Sequence, residues 1–572
     1  MLFFRFSNYL IPFSEKTDKK AIPVWILKNN CVYLPPHLRS SIKRNQIMGI
    51  YINKGNENFR RARNSEYVDK TGLIAVINST LDTERSFTCV TRCRRFGKSM
   101  AADMLCAYYD KSCDSHELFN GLQITSDKSY ETHLNKYPVL KLDITNFTTK
   151  YKEDNQIISL LQKDVIEELL TAYPTVTLGE RDDLMDVLIK ICAQTGEKFI
   201  CIIDEWDAVL REYENDNKTE DNFVKLLCRL FKGDESKKVF AGVYMTGILP
   251  IKKYKTESAL NNFKEYSVIS PKKLDKYFGF TKADVQMLAE KYDMPFDELE
   301  KWYDGYKIGN EESIFNPNSV INAVIDGECD TYWGKTGAYD NVLKYIQMNF
   351  DGLKDDVIRM LAGERVGVDT TKFQNDMHVI ESKDDVLTVL IHLGYLAYDK
   401  DEQQCYIPNM EVGIEMKNAV EATSWKYVSK ALESSRKLLQ DTLAMKEESV
   451  AKALESIHQD ETSILSYNDE ESLSCAISIA YYYAKNDYII HRELATGKGF
   501  ADLVFIPRKF SDNPAMIVEL KCNKDADTAI SQIKRKEYTG KVLEYTDNLL
   551  LVGINYDKET KTHSCVIEKY NA

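Results

Sequence analysis

The chain has 572 residues, 44% of them hydrophobic and 28% charged, and 75 Lys and Arg against 88 Asp and Glu give it a formal net charge of −13. That length exceeds what one hydrophobic core serves, so several domains are expected, and the acidic balance argues against a protein that coats nucleic acid non-specifically: contact with a phosphate backbone needs a local basic surface. Apolar runs such as 199–203 and 515–518 fall far short of the ~20 residues that span a bilayer, and the N-terminal MLFFRFSNYLIPF is broken by Arg5, Ser7 and Asn8. The 13 cysteines are scattered without a CxxC pair, and the 8 histidines form no zinc-spaced cluster. Reduced thiols, a cytoplasmic location, no membrane partner and no structural zinc are expected.

Residues 1–47 read as an N-terminal extension with a Pro-Pro step and a basic stretch at 39–44, and Met48 is a plausible start in its own right. From 48 to 270, β-rich runs alternate with helical periodicity: strands at 88–91, 139–144, 199–203 and 240–245, helices at 99–109 and 156–172. That alternation predicts a largely parallel sheet covered on both faces. From 271 to 435 the pattern is mostly helical, with a helix over 386–393 followed by a hairpin through 406–408, a winged-helix-like unit. Residues 436–465 read as a helical connector. From 466 to 572 the pattern predicts a helix at 472–484, strands at 488–493, 501–506 and 515–520, a helix at 526–537 and a last strand at 548–554.

Two places carry chemistry. RCRRFGKS at 92–99 follows a strand and opens a helix, the context of a P-loop. There the backbone N–H groups and helix dipole favour phosphate, Gly97 permits close approach, Lys98 would neutralise the β- and γ-phosphates, and the Ser99 hydroxyl would hold Mg²⁺. Arg95, Phe96, Gly97, Lys98, Ser99 and Met100 form the candidate nucleotide-binding run. The usual pattern starts with Gly where this chain has Arg92, and GKS alone also fits a surface turn. About a hundred residues on, the apolar run 199–203 ends in Asp204 and Glu205, the pattern of a Walker B strand: Asp204 would hold Mg²⁺ and Glu205 would polarise the attacking water. Thr246, at the end of the next apolar strand, is either a sensor of the γ-phosphate or a plain strand-end hydroxyl.

The second place is C-terminal. Asp502 starts one apolar strand, and Glu519 and Lys521 end the next. Residues two apart on a strand share a face, so Glu519 and Lys521 would meet one site, with Asp502 brought alongside by pairing. Two carboxylates suit Mg²⁺ or Mn²⁺, which would activate water, while Lys521 would orient the water or offset phosphate charge. An isolated ExK is also an ordinary surface ion pair.

YVDKT at 67–71, RRFGKS at 94–99, LFNGL at 118–122, TGI at 246–248, YFGFT at 277–281 and WYDGY at 302–306 followed by FNP at 315–317 together resemble the bacterial AAA-ATPase-like family, whose members commonly end in a PD-(D/E)XK nuclease domain. GKGFAD at 497–502 is similar to that family's GxGRAD run, departing at Phe500 where the family has Arg, and Gln532 with Lys536 and Tyr538 matches its QIxxKxY helix. Glu471 matches a family acid that completes the metal site. The family also lacks the leading P-loop glycine, and Arg95 is the arginine best placed by the resemblance to add to phosphate binding.

The resemblance implies an α/β chain: a P-loop NTPase domain with a parallel sheet (48–270), a helical, winged-helix-like middle (271–435), a connector (436–465) and an α/β restriction-endonuclease-like domain (466–572). ATP, Mg²⁺ or Mn²⁺, and DNA are the expected cofactors and substrate, with homo-oligomerisation left open. An ATP-binding, ATP-hydrolysing protein with a metal-dependent DNA endonuclease domain, regulated by the nucleotide, is expected. The alternative is a nucleotide-switched nucleic-acid-binding or signalling module whose nuclease domain does not cleave.

Overall fold

The computed structural model describes residues 26–27, 31–32, 49–152, 156–213, 216–251, 253–254, 257–258, 260–333, 338–348, 350–373, 380–423, 425–458, 470–496, 499–508, 511–535 and 543–570. Apart from two dipeptides, the expected N-terminal extension lies outside them.

The first half is built on five strands, β1 (Phe87–Thr91), β2 (Val139–Asp143), β3 (Phe199–Asp204), β4 (Phe240–Gly247) and β5 (Lys264–Tyr266). Their order is β2-β3-β4-β1-β5 and every pairing is parallel. All residues of β1, β3 and β4 are buried, as a sheet covered on both faces requires. The two-residue period sorts β3 between two cores: Ile200 and Ile202 face helix α1 (Lys98–Tyr109), and Phe199, Cys201 and Ile203 face α2 (Ile157–Ala172), α3 (Leu184–Thr195) and α5 (Asn217–Phe231), with the short α4 (Ala208–Glu212) between β3 and α5. From β1 the chain crosses to β2 and works back through β3 and β4, so β1 sits where the winding direction changes, the place at which α/β sheets open a crevice for ligands beyond their strand ends.

The middle of the chain is less helical than its sequence suggests. It contains two three-stranded antiparallel sheets: Tyr306–Ile308, Glu311–Phe315 and Phe280–Thr281 in one, Val366–Gly367, Ala397–Asp399 and Gln404–Tyr406 in the other. The second holds the expected hairpin after helix α6 (Lys383–Leu393), plus one further strand. The first was missed because its strands are two to five residues long, too short to show a period. Helix α6 ends on Gly394 in the left-handed region (φ 92°), where a Cβ would come within 2.7 Å of Cys93 Cβ and 2.9 Å of Trp333. Gly394→Ala is therefore expected to destabilise by about 1–3 kcal/mol from overpacking and positive φ together, read as a lowered melting temperature of the full chain. Helices α7 (Met410–Glu421), α8 (Lys426–Leu443) and α9 (Glu447–His458) follow, with α8 running unbroken through residues 435 and 436.

The last part opens with α10 (Glu470–Ala480) and a sheet of β6 (Tyr488–Thr496), β7 (Gly499–Pro507), β8 (Ala515–Cys522), β9 (Leu549–Asp557) and β10 (Thr562–Lys569) in sequential order. Strand β10, a correction to the expectation that the strand ending near 554 is the last, extends the sheet beyond β9. Only β8 and β9 pair in parallel, and helix α11 (Ala526–Arg535) crosses between them. Val504, Ile506, Ala515, Ile517, Leu549 and Leu551 pack against Ile530 and Ile533 of α11, whereas Leu503, Phe505, Met516 and Val518 face α10 and the middle of the chain. Gly553 of β9 lets α11 lie close: a Cβ there would meet Ala526 O at 2.5 Å. One continuous core runs from the middle segment to this inner face of the last sheet, and among the described residues no helix is long and apolar enough to cross a membrane.

Candidate functional sites

The loop after β1 turns into α1 through two left-handed residues, Arg95 (φ 67°) and Gly97 (φ 84°). Nothing lies within 4 Å of where a Gly97 Cβ would be, so the glycine answers the backbone conformation and the open approach beside it. Lys98 is 5% exposed; its Nζ donates to Cys93 O (3.1 Å) and lies 3.7 Å from Glu205 Oε1. At the end of β3, Asp204 is buried, and that burial pushes its carboxyl up to about 6, opposed by a hydrogen bond with the Ser99 hydroxyl. Glu205 and Asp143 raise it further and Lys141, paired with Asp103 of α1, lowers it. Lys98, Ser99, Asp204 and Glu205 are thus gathered at one end of the sheet, with Thr246 buried at the end of the neighbouring β4.

Other members of the candidate run point elsewhere. Phe96 is fully buried, edge-on to Tyr306 at 5.1 Å; Met100 is 41% exposed; Arg95 Nη1 donates to Tyr332 O at 3.3 Å. Arg92, where a P-loop usually starts with glycine, is fully buried and donates to Thr91 O (2.8 Å), Tyr266 O (2.8 Å) and Leu274 O (3.1 Å). It ties the loop to β5 and to the turn beyond.

Two functional candidates escaped the sequence reading. Arg211 of α4 donates to Glu205 Oε2 at 2.6 Å and to Asp207 Oδ2 at 3.1 Å. Asp207, fully buried, also accepts from the N–H groups of Ile248 and Leu249 just past β4. A chain of charge-assisted contacts therefore runs from Lys98 through Glu205, Arg211 and Asp207 to the β4 end. The i, i+4 spacing of Asp207 and Arg211 was the available signal.

In the last sheet, the register that pairs Leu503 with Val518 brings Asp502 beside the Glu519 end of β8, and Asp502 Oδ2 accepts from Leu520 N at 2.7 Å. Asp502, Glu519 and Lys521 share the parity of Val504 and Ile517, on the face covered by α11. Glu519 is fully buried; its Oε1 accepts from Lys521 Nζ (3.3 Å) and from Gln532 Nε2 of α11. Lys521, also buried, donates to Leu520 O at 2.8 Å. Four predicted residues from two strands and one helix are brought together. The side chains of Glu471 and Phe500 lie outside the described residues.

Both places fit a divalent cation by donor type. Ser99 and the buried Asp204 present hard oxygen beside the phosphate loop. Among the described residues no group of three or more His, Cys, Asp or Glu side chains could hold a metal, so a cation at Asp502 and Glu519 would complete its shell with water and substrate oxygens, as Mg²⁺ commonly does.

The topology and these sites define a P-loop-type α/β unit joined through a mixed middle region to a small mixed-sheet domain with a strand-borne acid and lysine pair. Two family models match parts of the chain: residues 54–256 match the model described as predicted AAA-ATPase, and residues 468–565 match that of the PD-(D/E)XK nuclease superfamily. The uncharacterized protein in the vnfD 5' region of Azotobacter chroococcum mcd 1 is 25% identical over 297 residues, 50% of this chain and 53% of that protein; the chain spans about half the length of this curated relative. The solved structure of the Aeropyrum pernix ORC2 protein (ADPNP-ADP complexes) is similar at 10% identity over 64% of this chain and 98% of that one, with a TM-score of 0.28, too low to carry an argument.

Proposed function

We propose that the protein binds and hydrolyses ATP at the β1–α1 loop and cleaves DNA at the β8 site with a divalent cation. The observation that carries the second half is the meeting of Asp502, Glu519, Lys521 and Gln532 on one face. At the first site Lys98 leaves Cys93 O and Glu205 to take phosphate charge. Glu205, with Oε2 held by Arg211, keeps Oε1 towards the nucleotide to orient water, and Ser99 and Asp204 hold Mg²⁺. At the second, Asp502 and Glu519 would hold a divalent cation, which when bound would supply Lewis-acid activation of water and charge for the phosphate. Lys521 offsets that charge, and Gln532 fixes the Glu519 carboxylate. The paired test is ATP hydrolysis and plasmid nicking by the purified full chain with Mg²⁺ or Mn²⁺; a chain that does neither under any nucleotide condition overturns the proposal.

A second reading, a nucleotide-switched nucleic-acid module that does not cut, is favoured by one observation: Glu519 is fully buried and its Oε1 already accepts from both Lys521 and Gln532. Metal-dependent DNA binding without nicking would support it.

The raised carboxyl of Asp204 gives a pH signature. A group that must lose its proton to bind Mg²⁺ weakens binding as pH falls below its own pKa, here about 6. Mg·nucleotide affinity is expected to drop about tenfold per pH unit below that point, beyond the nucleotide's own titration. Asp204→Asn measured in parallel should retain only the nucleotide's titration; identical pH profiles would remove Asp204 from the metal site. For stability the sign is opposite: a carboxyl raised in the folded state favours folding at low pH, and that contribution is lost as pH rises from about 4 towards 6.

A further inference from the structure

The outer edge of the parallel sheet carries a concentration of positive charge that neither proposed site uses. Lys264 Nζ and Lys272 Nζ lie 5.5 and 5.6 Å from the centroid of the same ring, Tyr266, the last residue of β5. Lys273 and Arg85 share this surface: burial lowers the Lys273 ammonium, and Lys264 and Arg85 lower it further by repulsion. Arg85, Lys272 and Lys273 are exposed and Lys264 is half-buried. Among the described residues none of the four makes an ion pair.

The acids nearest in sequence are turned away. Glu84 is paired with Lys237 at 2.6 Å. Glu265, on the opposite side of β5 from Lys264 and Tyr266, accepts from Ile251 N at 2.7 Å. Asp275 is buried and accepts from the Asn310 N–H. In a chain of net charge −13, two lysines converge on one aromatic ring, with Lys273 and Arg85 close enough to act on the same charges; like charges so placed repel one another and oppose folding, a cost that a polyanion bound there would offset.

We propose that this β5 edge, formed by Arg85, Lys264, Lys272 and Lys273, is a docking surface for the phosphate backbone of DNA. The proposal rests on the DNA partner of the reading above but not on cleavage. It supplies the local basic surface that an acidic chain needs for such a partner. It also places that partner against the nucleotide loop. Arg92, the first residue of the loop, donates to Tyr266 O and Leu274 O, and Lys272 Nζ to Glu265 O at 3.2 Å, so docked phosphates and the start of the loop hold the same short stretch of backbone.

The test is the salt dependence of binding between the full chain and a short fluorescent duplex, by anisotropy, in EDTA and without nucleotide, so that no cutting occurs. Each phosphate contact adds about 0.9 to the slope of log affinity against log salt. Lys264→Gln/Lys272→Gln/Lys273→Gln is expected to lower the slope by up to about 2.7 and to weaken binding at least tenfold in low salt, with the melting temperature kept. Should the triple variant fail to fold, the exposed Lys272→Gln alone should lower the slope by about 0.9. An unchanged slope in either variant, or no binding by the parent chain in EDTA, overturns the proposal. So does loss of binding to phosphatidylserine vesicles with duplex binding unaltered, which would assign the edge to a membrane. A chain that binds in this way and never cuts leaves the docking surface standing and overturns only the nuclease reading.

Discussion

Glu519→Gln is expected to reduce metal-dependent DNA cleavage by about 10³-fold or more, because it removes one of two carboxylates available to a cation whose charge stabilises the transition state. Gln is the informative substitution. Glu519 is fully buried beside Lys521 and Gln532, and truncation to Ala would strand the Lys521 ammonium in the interior at about 3–5 kcal/mol, so lost activity could not be told from lost folding. Gln keeps the volume and an oxygen acceptor for Lys521. Initial rates of supercoiled plasmid nicking in Mg²⁺ and in Mn²⁺ check the expectation, with the melting curve as control. Nicking at the parent rate would dismiss the β8 site as the source of the activity. Lys521→Gln, whose amide can still donate to the buried Glu519 carboxylate, should fall in the same range, again with the melting curve as control.

The second large effect separates binding from turnover at the other site. Lys98→Ala should lose about 10²–10³-fold in ATP affinity, the loss of a buried charge aimed at phosphate. The fold should survive, because Glu205 retains its 2.6 Å contact with Arg211. Glu205→Gln should keep nucleotide affinity within a few-fold while hydrolysis falls by about 10²–10⁴. Calorimetry for binding and phosphate release for turnover give the two readouts. Equal effects of both variants on affinity would show that Glu205 helps hold the nucleotide instead of acting on water.

Much of the architecture was legible because it is written in local patterns. The apolar run 199–203 ending in Asp204 and Glu205 could hardly be anything but a buried strand with acids at its tip, and Glu519 and Lys521 announced a shared face by their spacing alone. The sheet pairing that sets Asp502 beside them was a reasonable extension of the same alternation. What stayed hidden depends on contacts between distant residues. Arg92 looked like a missing glycine, yet its guanidinium meets carbonyls 174 and 182 residues away, a partnership that no window of sequence contains. Arg211 is inconspicuous until α4 is wound and folded back on Glu205. Strands as short as Phe280–Thr281 or Val366–Gly367 carry too few residues for a period and exist only because a partner is there to pair with them.

The side chains of Cys93 and Phe96 leave the phosphate loop and enter the core of the middle segment, where Cys93 packs against Gly394 and Phe96 against Tyr306. The loop is thus a shared wall: its shape is set from behind as much as by the sheet from which it springs. A triphosphate that shifted the loop on binding would strain or relieve that rear packing, and by reciprocity a change in the rear packing would then alter the grip on the triphosphate by the same free energy. Substitutions at Gly394 or Tyr306, neither of which lies in the loop, will then register as changes in nucleotide affinity.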